Sequence, residues 1–313
     1  MFLHILLIVV GIILVIKGAD WMTDGAVSIA RRLKIPAIVI GLTIVAMGTS
    51  MPEFFVSLMS ALKGTPDLAV GNVVGSNIFN TLLIVGVAAM VTPIAVTRST
   101  VRKDMPWSML AAVFLTLMCL DSFISRLDAI ILLAAFIVFV LYTLREAKKG
   151  KAKEKEEEES GKNYSPWVAT ALVLVGLASL VFGSNVFVDH ATAVAQQLGV
   201  SEAVIGLTIV AGGTSMPELA TSVVAAKKGQ SAIAIGNVIG SNVYNVLMII
   251  GLTGFIQPMD ITGITLIDLL TMAGSMVILW LFSFTKFKVE RWEGCVLTAA
   301  FAAYLGWLLS QVI

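Results

Sequence analysis

The apolar and polar positions of this chain follow neither the period of two of a half-buried strand nor the narrow stripe of a surface helix. They form long, nearly uncharged apolar runs separated by short polar joints. A transmembrane helix needs about 20 mainly apolar residues. Ten stretches qualify, at roughly 2–28, 36–62, 68–92, 105–121, 127–145, 166–190, 203–226, 231–256, 264–285 and 293–312. The fourth and fifth are short, and Asp121, Arg126 and Asp128 lie around the joint between them. The opening run, MFLHILLIVVGIILVI, has no basic leader and no small-residue cleavage site, so it reads as a retained span.

The pattern also repeats. Residues 41–80 and 206–245 align at a constant offset of 165 without a gap, identical at 24 of 40 positions. Each copy sets one acid, Glu53 or Glu218, inside an apolar stretch. Five spans per copy is an odd number, so the second copy must cross in the opposite sense. The predicted fold is an all-α integral membrane protein of ten transmembrane helices in two inverted five-helix repeats, 1–144 and 166–313, joined by a charged linker at 145–165. Inverted repeats with acids at mid-depth point to a transporter whose site lies at the repeat interface.

Composition removes the soluble classes. The 313 residues are 58% hydrophobic and 13% charged, against about 25% charged in soluble domains, and the mean hydropathy is +0.95. The net charge of +1 identifies no partner, but its distribution gives an orientation. With the N-terminus outside, 18 of the 21 basic residues fall in cytoplasmic joints, as the positive-inside rule requires. Both termini are then expected to be extracytoplasmic in the plasma (inner) membrane, with the linker cytoplasmic. The linker segment KKGKAKEKEEEESGKNYS reads as solvated chain, since it lacks the glycine turn and alternating ligands of a calcium loop. Cys119 and Cys295 lie in apolar runs and read as small buried residues without a disulfide.

The chemistry concentrates in GTSMPE, which occurs twice. Pro52 and Pro217 lack an N–H and disfavour helix in the residue before them. Gly48 and Gly213 lower helix propensity one turn earlier. Each helix is expected to break at mid-membrane and release the carbonyls of residues 46–49 and 211–214. Such groups cost several kcal/mol each in hydrocarbon unless satisfied, and a cation can satisfy them. Thr49, Ser50 and Glu53 with Thr214, Ser215 and Glu218 supply oxygens only, which suits a hard cation such as calcium and not zinc or copper.

The following GNVVGSNIFN and GNVIGSNVYN add Ser76, Asn80, Ser241 and Asn245. Asn72, Asn77, Asn237 and Asn242 either line the cavity or hydrogen-bond between helices. The glycines at 71, 75, 236 and 240 form ridges for close helix approach. Asp24 and Asp189, also 165 apart, either anchor helix ends or attract cations. The only histidines, His4 and His190, lie near span ends, so no base serves either serine and an intramembrane enzyme is disfavoured. Paired acids also line cation channels, but two broken repeats favour a transporter.

Through GTSMPE followed by GNVVGSNIFN, twice, the chain resembles the sodium/calcium exchangers of the calcium/cation antiporter superfamily, in a compact prokaryotic form. The resemblance implies ten helices around a cavity lined by the second, third, seventh and eighth. It implies sodium/calcium antiport by alternating access, normally extruding calcium. Glu53 and Glu218 would be shared ligands of calcium and sodium. Thr49, Ser50, Thr214 and Ser215, the carbonyls of Ala46 and Ala211, and Ser76, Asn80, Ser241 and Asn245 would complete one calcium site overlapping several sodium sites. Potassium-dependent exchangers tend to carry aspartate where this chain has Asn245, which argues against potassium co-transport. Proton/calcium exchangers read differently around the glutamate and are the alternative. The expected partners are Ca2+, Na+ and bilayer lipid, with no nucleic acid, no cofactor and a monomeric unit.

Overall fold

The computed structural model describes residues 1–150, 164–199, 209 and 211–310. The helices are α1 (Phe2–Leu33), α2 (Ala37–Thr49), α3 (Met51–Leu62), α4 (Pro66–Val91), α5 (Thr100–Asp121) and α6 (Arg126–Gly150) in the first half. The second half holds α7 (Pro166–Gln197), α8 (Ala211–Thr214), α9 (Met216–Lys227), α10 (Ser231–Ile256), α11 (Leu266–Phe284) and α12 (Arg291–Ser310). Among the described residues eight helices are long and apolar enough to cross a bilayer, or nine with α2 and α3 counted as one span bent by 46°. The start of the expected span 203–226 and most of the linker 145–165 lie outside the described residues.

The bend in the second span has a local cause. Ser50 sits at φ −81, ψ 6, outside the helical basin, and Pro52 opens α3. Ser215 repeats this at φ −89, ψ 8 before Pro217. The chain turns but unwinds less than the sequence suggested. The Ala46 carbonyl was expected to be released, yet it keeps its helical donor, Ser50 N–H at 3.0 Å, and also accepts from Thr49 Oγ1 at 3.3 Å. A single non-helical residue is enough to redirect the axis, so one turn of carbonyls is not stripped bare.

The inversion is visible in the contact between α1 and α7. Gly11 lies against Gly183, Gly18 against Gly176 and Gly25 against Ala169, so one number rises as the other falls and the helices are antiparallel. A Cβ on Gly18 would stand 2.8 Å from the Gly176 carbonyl oxygen, so only glycine allows this approach. His4 Nδ1 meets His190 Nδ1 at 3.0 Å at one end of the same seam.

Two short ribbons tie the halves together. Strands β1 (Ile94–Ala95) and β4 (Lys288–Val289) pair antiparallel, with Ile94 opposite Val289. Strands β2 (Phe123–Ile124) and β3 (Met259–Asp260) pair the same way, with Ile124 opposite Met259. Each strand's partner lies in the other repeat, so the ribbons are images of one another under the offset of 165. Beside β4, Lys288 and Lys286 pair with Glu290 at 3.0 and 3.2 Å and hold its carboxyl below the usual range.

Helix α10 is almost wholly enclosed and α4 largely so, while α1, α6 and α12 expose apolar side chains such as Ile13, Ile137 and Trp292. An apolar outer surface around a polar centre fits a bilayer solvent. Cys119 is buried as expected, but Cys295 is exposed on α12, because that helix is peripheral and its outward side chains need only be apolar.

Candidate functional site

The two GTSMPE turns meet at the centre of the molecule. Glu53 lies in the first turn of α3 and Glu218 in the first turn of α9, with 1% and 0% of their surfaces exposed. At a helix N-terminus the backbone N–H groups and the macrodipole favour negative charge. The C-terminal ends of α2 and α8 arrive at the same two turns, and a helix C-terminus favours positive charge. A cation between these ends would see both.

The serines cross between the repeats. Ser50 Oγ donates to Glu218 Oε1 at 3.1 Å, and Ser215 Oγ donates to Glu53 Oε1 at 2.9 Å. Ser215 Oγ also lies 3.1 Å from Ser76 Oγ. One oxygen of each carboxylate is thereby held, while the other, Oε2 of Glu53 and of Glu218, is buried and has no hydrogen-bond partner. Buried polar atoms are nearly always paired, and an ionised carboxylate is among the costliest groups to leave bare.

The asparagines explain how the remaining oxygens are aimed. Asn80 Nδ2 donates to Asn242 Oδ1 at 3.2 Å, and Asn245 Nδ2 donates to Asn77 Oδ1 at 3.0 Å. Using the nitrogens this way leaves Asn80 Oδ1 and Asn245 Oδ1 buried without partners. Ser241 Oγ is likewise buried without a partner. Asn80 and Asn245 open the wide helical segments Phe79–Ile84 and Tyr244–Ile250, where each turn holds one extra residue. Such bulges recur at functional sites because they re-aim side chains without ending the helix.

A second layer fixes the broken helices. Asn72 Nδ2 donates to the Glu53 carbonyl and to Ser57 Oγ at 3.1 and 3.0 Å. Asn237 Nδ2 does the same to the Glu218 carbonyl and Ser222 Oγ at 3.3 and 3.0 Å. Asn242 Nδ2 is anchored by Thr81 Oγ1 at 3.0 Å and Met276 Sδ at 3.3 Å. The asparagines left open by the sequence therefore hydrogen-bond between elements. Ser57, Ser222 and Thr81 were missed, although Ser57 and Ser222 recur at the offset of 165.

Thr49 Oγ1 donates to Asn237 Oδ1 at 3.1 Å and also lies within reach of the Glu218 carboxylate. Thr214 ends α8 half-buried, and Ala211 begins that helix. The second glycine ridge works as expected, since a Cβ on Gly240 would stand 2.6 Å from the Ala46 Cβ. Among the described residues no group of three His, Cys, Asp or Glu gathers, so the site is a set of neutral oxygens around two acids.

Known proteins match this chain in both repeats. The profile of a family described as sodium/calcium exchanger protein matches residues 3–145 and 168–310, one stretch per repeat. The inner membrane protein YrbG of Escherichia coli K12 is 36% identical, over 83% of this chain and 82% of its own. The sodium/calcium exchanger MaX1 of Methanosarcina acetivorans is 32% identical, over 96% and 97%. A solved structure of the sodium-calcium exchanger NCX_Mj, soaked with Na+ and Ca2+, superposes with a TM-score of 0.85 at 30% identity, over 97% of this chain and 98% of that one.

Proposed function

The chain belongs to the sodium/calcium exchanger family, and from that membership we propose that it is an antiporter exchanging Na+ for Ca2+ by alternating access. The observation that carries this reading is the set of orphaned oxygens. Glu53 Oε2, Glu218 Oε2, Asn80 Oδ1 and Asn245 Oδ1 are buried, unpartnered and drawn equally from both repeats. A hard cation coordinated by several oxygens satisfies such a set, and two carboxylates neutralise one divalent charge.

Calcium and sodium then compete for the same oxygens. Either load compensates the two carboxylates, whereas an empty occluded site leaves two like charges in a medium of low dielectric. That penalty suppresses return of the unloaded transporter and enforces exchange. Ser50, Ser215, Ser76 and Ser241 complete the coordination with hydroxyl oxygens, and Thr49, Thr214 and the Ala211 carbonyl line its ends, the Ala46 carbonyl being already bonded to Ser50 N–H and Thr49 Oγ1. In this reading the resting direction is calcium extrusion across the plasma membrane, the termini are extracytoplasmic, and the monomer is the working unit. The chain carries out transport and no covalent step, so it needs no cofactor.

The decisive experiment is radioactive calcium uptake into proteoliposomes loaded with sodium, against vesicles loaded with choline or potassium. Uptake only with internal sodium is the expected result. Uptake driven by an imposed pH gradient and indifferent to sodium would replace the coupling ion with the proton and keep the site.

A further inference from the structure

The repeats carry the same charges at equivalent points outside the ion site. Asp24 on α1 corresponds to Asp189 on α7, and Lys63 after α3 corresponds to Lys228 after α9. Because the repeats are inverted, Lys63 and Lys228 lie toward opposite faces of the membrane. The structure treats them differently. Lys228 Nζ lies 2.5 Å from Asp24 Oδ1 and 2.7 Å from Asp20 Oδ1, and it donates to the Asp20 carbonyl at 3.0 Å. Lys63 and Asp189 are exposed and, among the described residues, make no ion pair.

The packing follows the charges. Helix α1 lies along α9, whereas α7 makes no comparable contact with α3. The contact that is closed in one half is therefore open in the other. Burial of the Lys228 ammonium disfavours its charge, but the Asp20 and Asp24 carboxylates outweigh this and raise its pKa. The closed pair is held as ions.

We propose that Lys228–Asp24 and Lys63–Asp189 are alternate latches of the transport cycle. The first fastens α1 to α9 and shuts the Lys228 face; the second fastens α7 to α3 after the first has opened. The lysines and aspartates are positioning residues that never touch the transported ion. The proposal rests on the alternating-access reading above and adds the contacts that hold each end state. It also explains an asymmetry. Asp20 corresponds to Asn185, so the Lys228 latch has two carboxylates and the Lys63 latch has one. The Lys228 latch is then the more strongly held, and it is the one whose ion pairs are closed here.

The test uses the full chain in proteoliposomes, with Cys119→Ala and Cys295→Ala as background. One variant adds Asp24→Cys and Lys228→Cys; a second adds Lys63→Cys and Asp189→Cys. Each is treated with a short reducible bis-thiol reagent. The 24/228 pair is expected to cross-link readily. The 63/189 pair, apart in this structure, is also expected to cross-link as the transporter cycles. Either link should stop calcium uptake, and reduction should restore it, which a merely structural contact would not show. Adding Asp20→Asn should raise the 63/189 cross-linking yield several-fold by weakening the opposing latch. Failure of the 63/189 pair to link in protein that transports, a linked protein that still transports, or a yield indifferent to Asp20→Asn would each overturn the proposal. Uptake without internal sodium in the uncross-linked variants would instead overturn the assigned coupling ion, leaving the cross-linking result to stand on its own.

Discussion

The Ser50 hydroxyl donates across the repeat boundary to Glu218 Oε1 at 3.1 Å, so the acid of one half is oriented by the serine of the other. Ser215 returns the bond to Glu53 at 2.9 Å. Each acid's Oε1 is held by a serine of the other repeat, while Asn72 and Asn237 hold the backbone carbonyls of Glu53 and Glu218 from within their own. The site exists only where the two inverted halves face each other.

Ser50→Ala and Ser215→Ala should therefore weaken calcium to similar extents. A hydrogen bond to a charged group contributes about 1.5–3 kcal/mol, which corresponds to roughly 10–100-fold in the calcium concentration at half-maximal uptake. Initial rates against external calcium in sodium-loaded vesicles measure this. A large effect at one serine and none at the other would contradict the shared site.

Glu53→Gln and Glu218→Gln should each abolish calcium uptake while leaving a folded protein. The amide keeps the size of the side chain but removes one of the two charges that compensate a divalent ion. Size-exclusion profiles in detergent control for folding, and near-normal flux in either variant would remove that glutamate from the site.

Asn245→Asp should make transport more sensitive to acid. Asn245 Oδ1 is buried and unpartnered, and burial favours the neutral form of a carboxyl. The new acid would take up a proton as pH falls and lose its attraction for the ion. Uptake measured from pH 8 to pH 5 should decline at a higher pH than in the parent protein, since the added carboxyl attracts the ion only while it is ionised.

Asn77→Ala should act through Asn245. Asn77 Oδ1 holds the Asn245 amide nitrogen at 3.0 Å, so without it the Asn245 side chain can rotate and its oxygen leaves the site. The expected result is weaker calcium dependence of uptake with fold retained. Unchanged calcium dependence would show that this tether does not set the orientation.

Gly18→Val tests the α1–α7 seam. The new Cβ would stand 2.8 Å from the Gly176 carbonyl and 2.9 Å from the Leu180 amide nitrogen, both fixed backbone atoms. Overpacking of this kind costs about 1–3 kcal/mol. The apparent Tm in detergent should drop by several degrees, and Gly75→Ala, whose Cβ would meet no neighbouring element within 4 Å, should leave it nearly unchanged.

The amino-acid sequence determined a great deal. The ungapped match of 41–80 to 206–245, with an odd number of apolar spans read in each copy, predicts an inverted repeat, because an odd number of crossings reverses the second copy, and the antiparallel seam of α1 with α7 agrees. An acid and a proline at mid-span dictate a broken helix near the ion, because hydrocarbon leaves neither unanswered. The tertiary structure decided what depends on distances between the halves. That Ser50 serves Glu218 and not Glu53, that Asn77 and Asn242 turn the amides of Asn245 and Asn80, and that Ala46 keeps its helical donor are all facts of packing. So is the difference between Lys228, paired with Asp20 and Asp24, and Lys63, unpaired among the described residues. The two repeats supply nearly the same groups, but a transporter at any moment holds one end closed. Equivalent residues in the chain then occupy inequivalent places in space, and a symmetric pattern in the sequence cannot say which end that is.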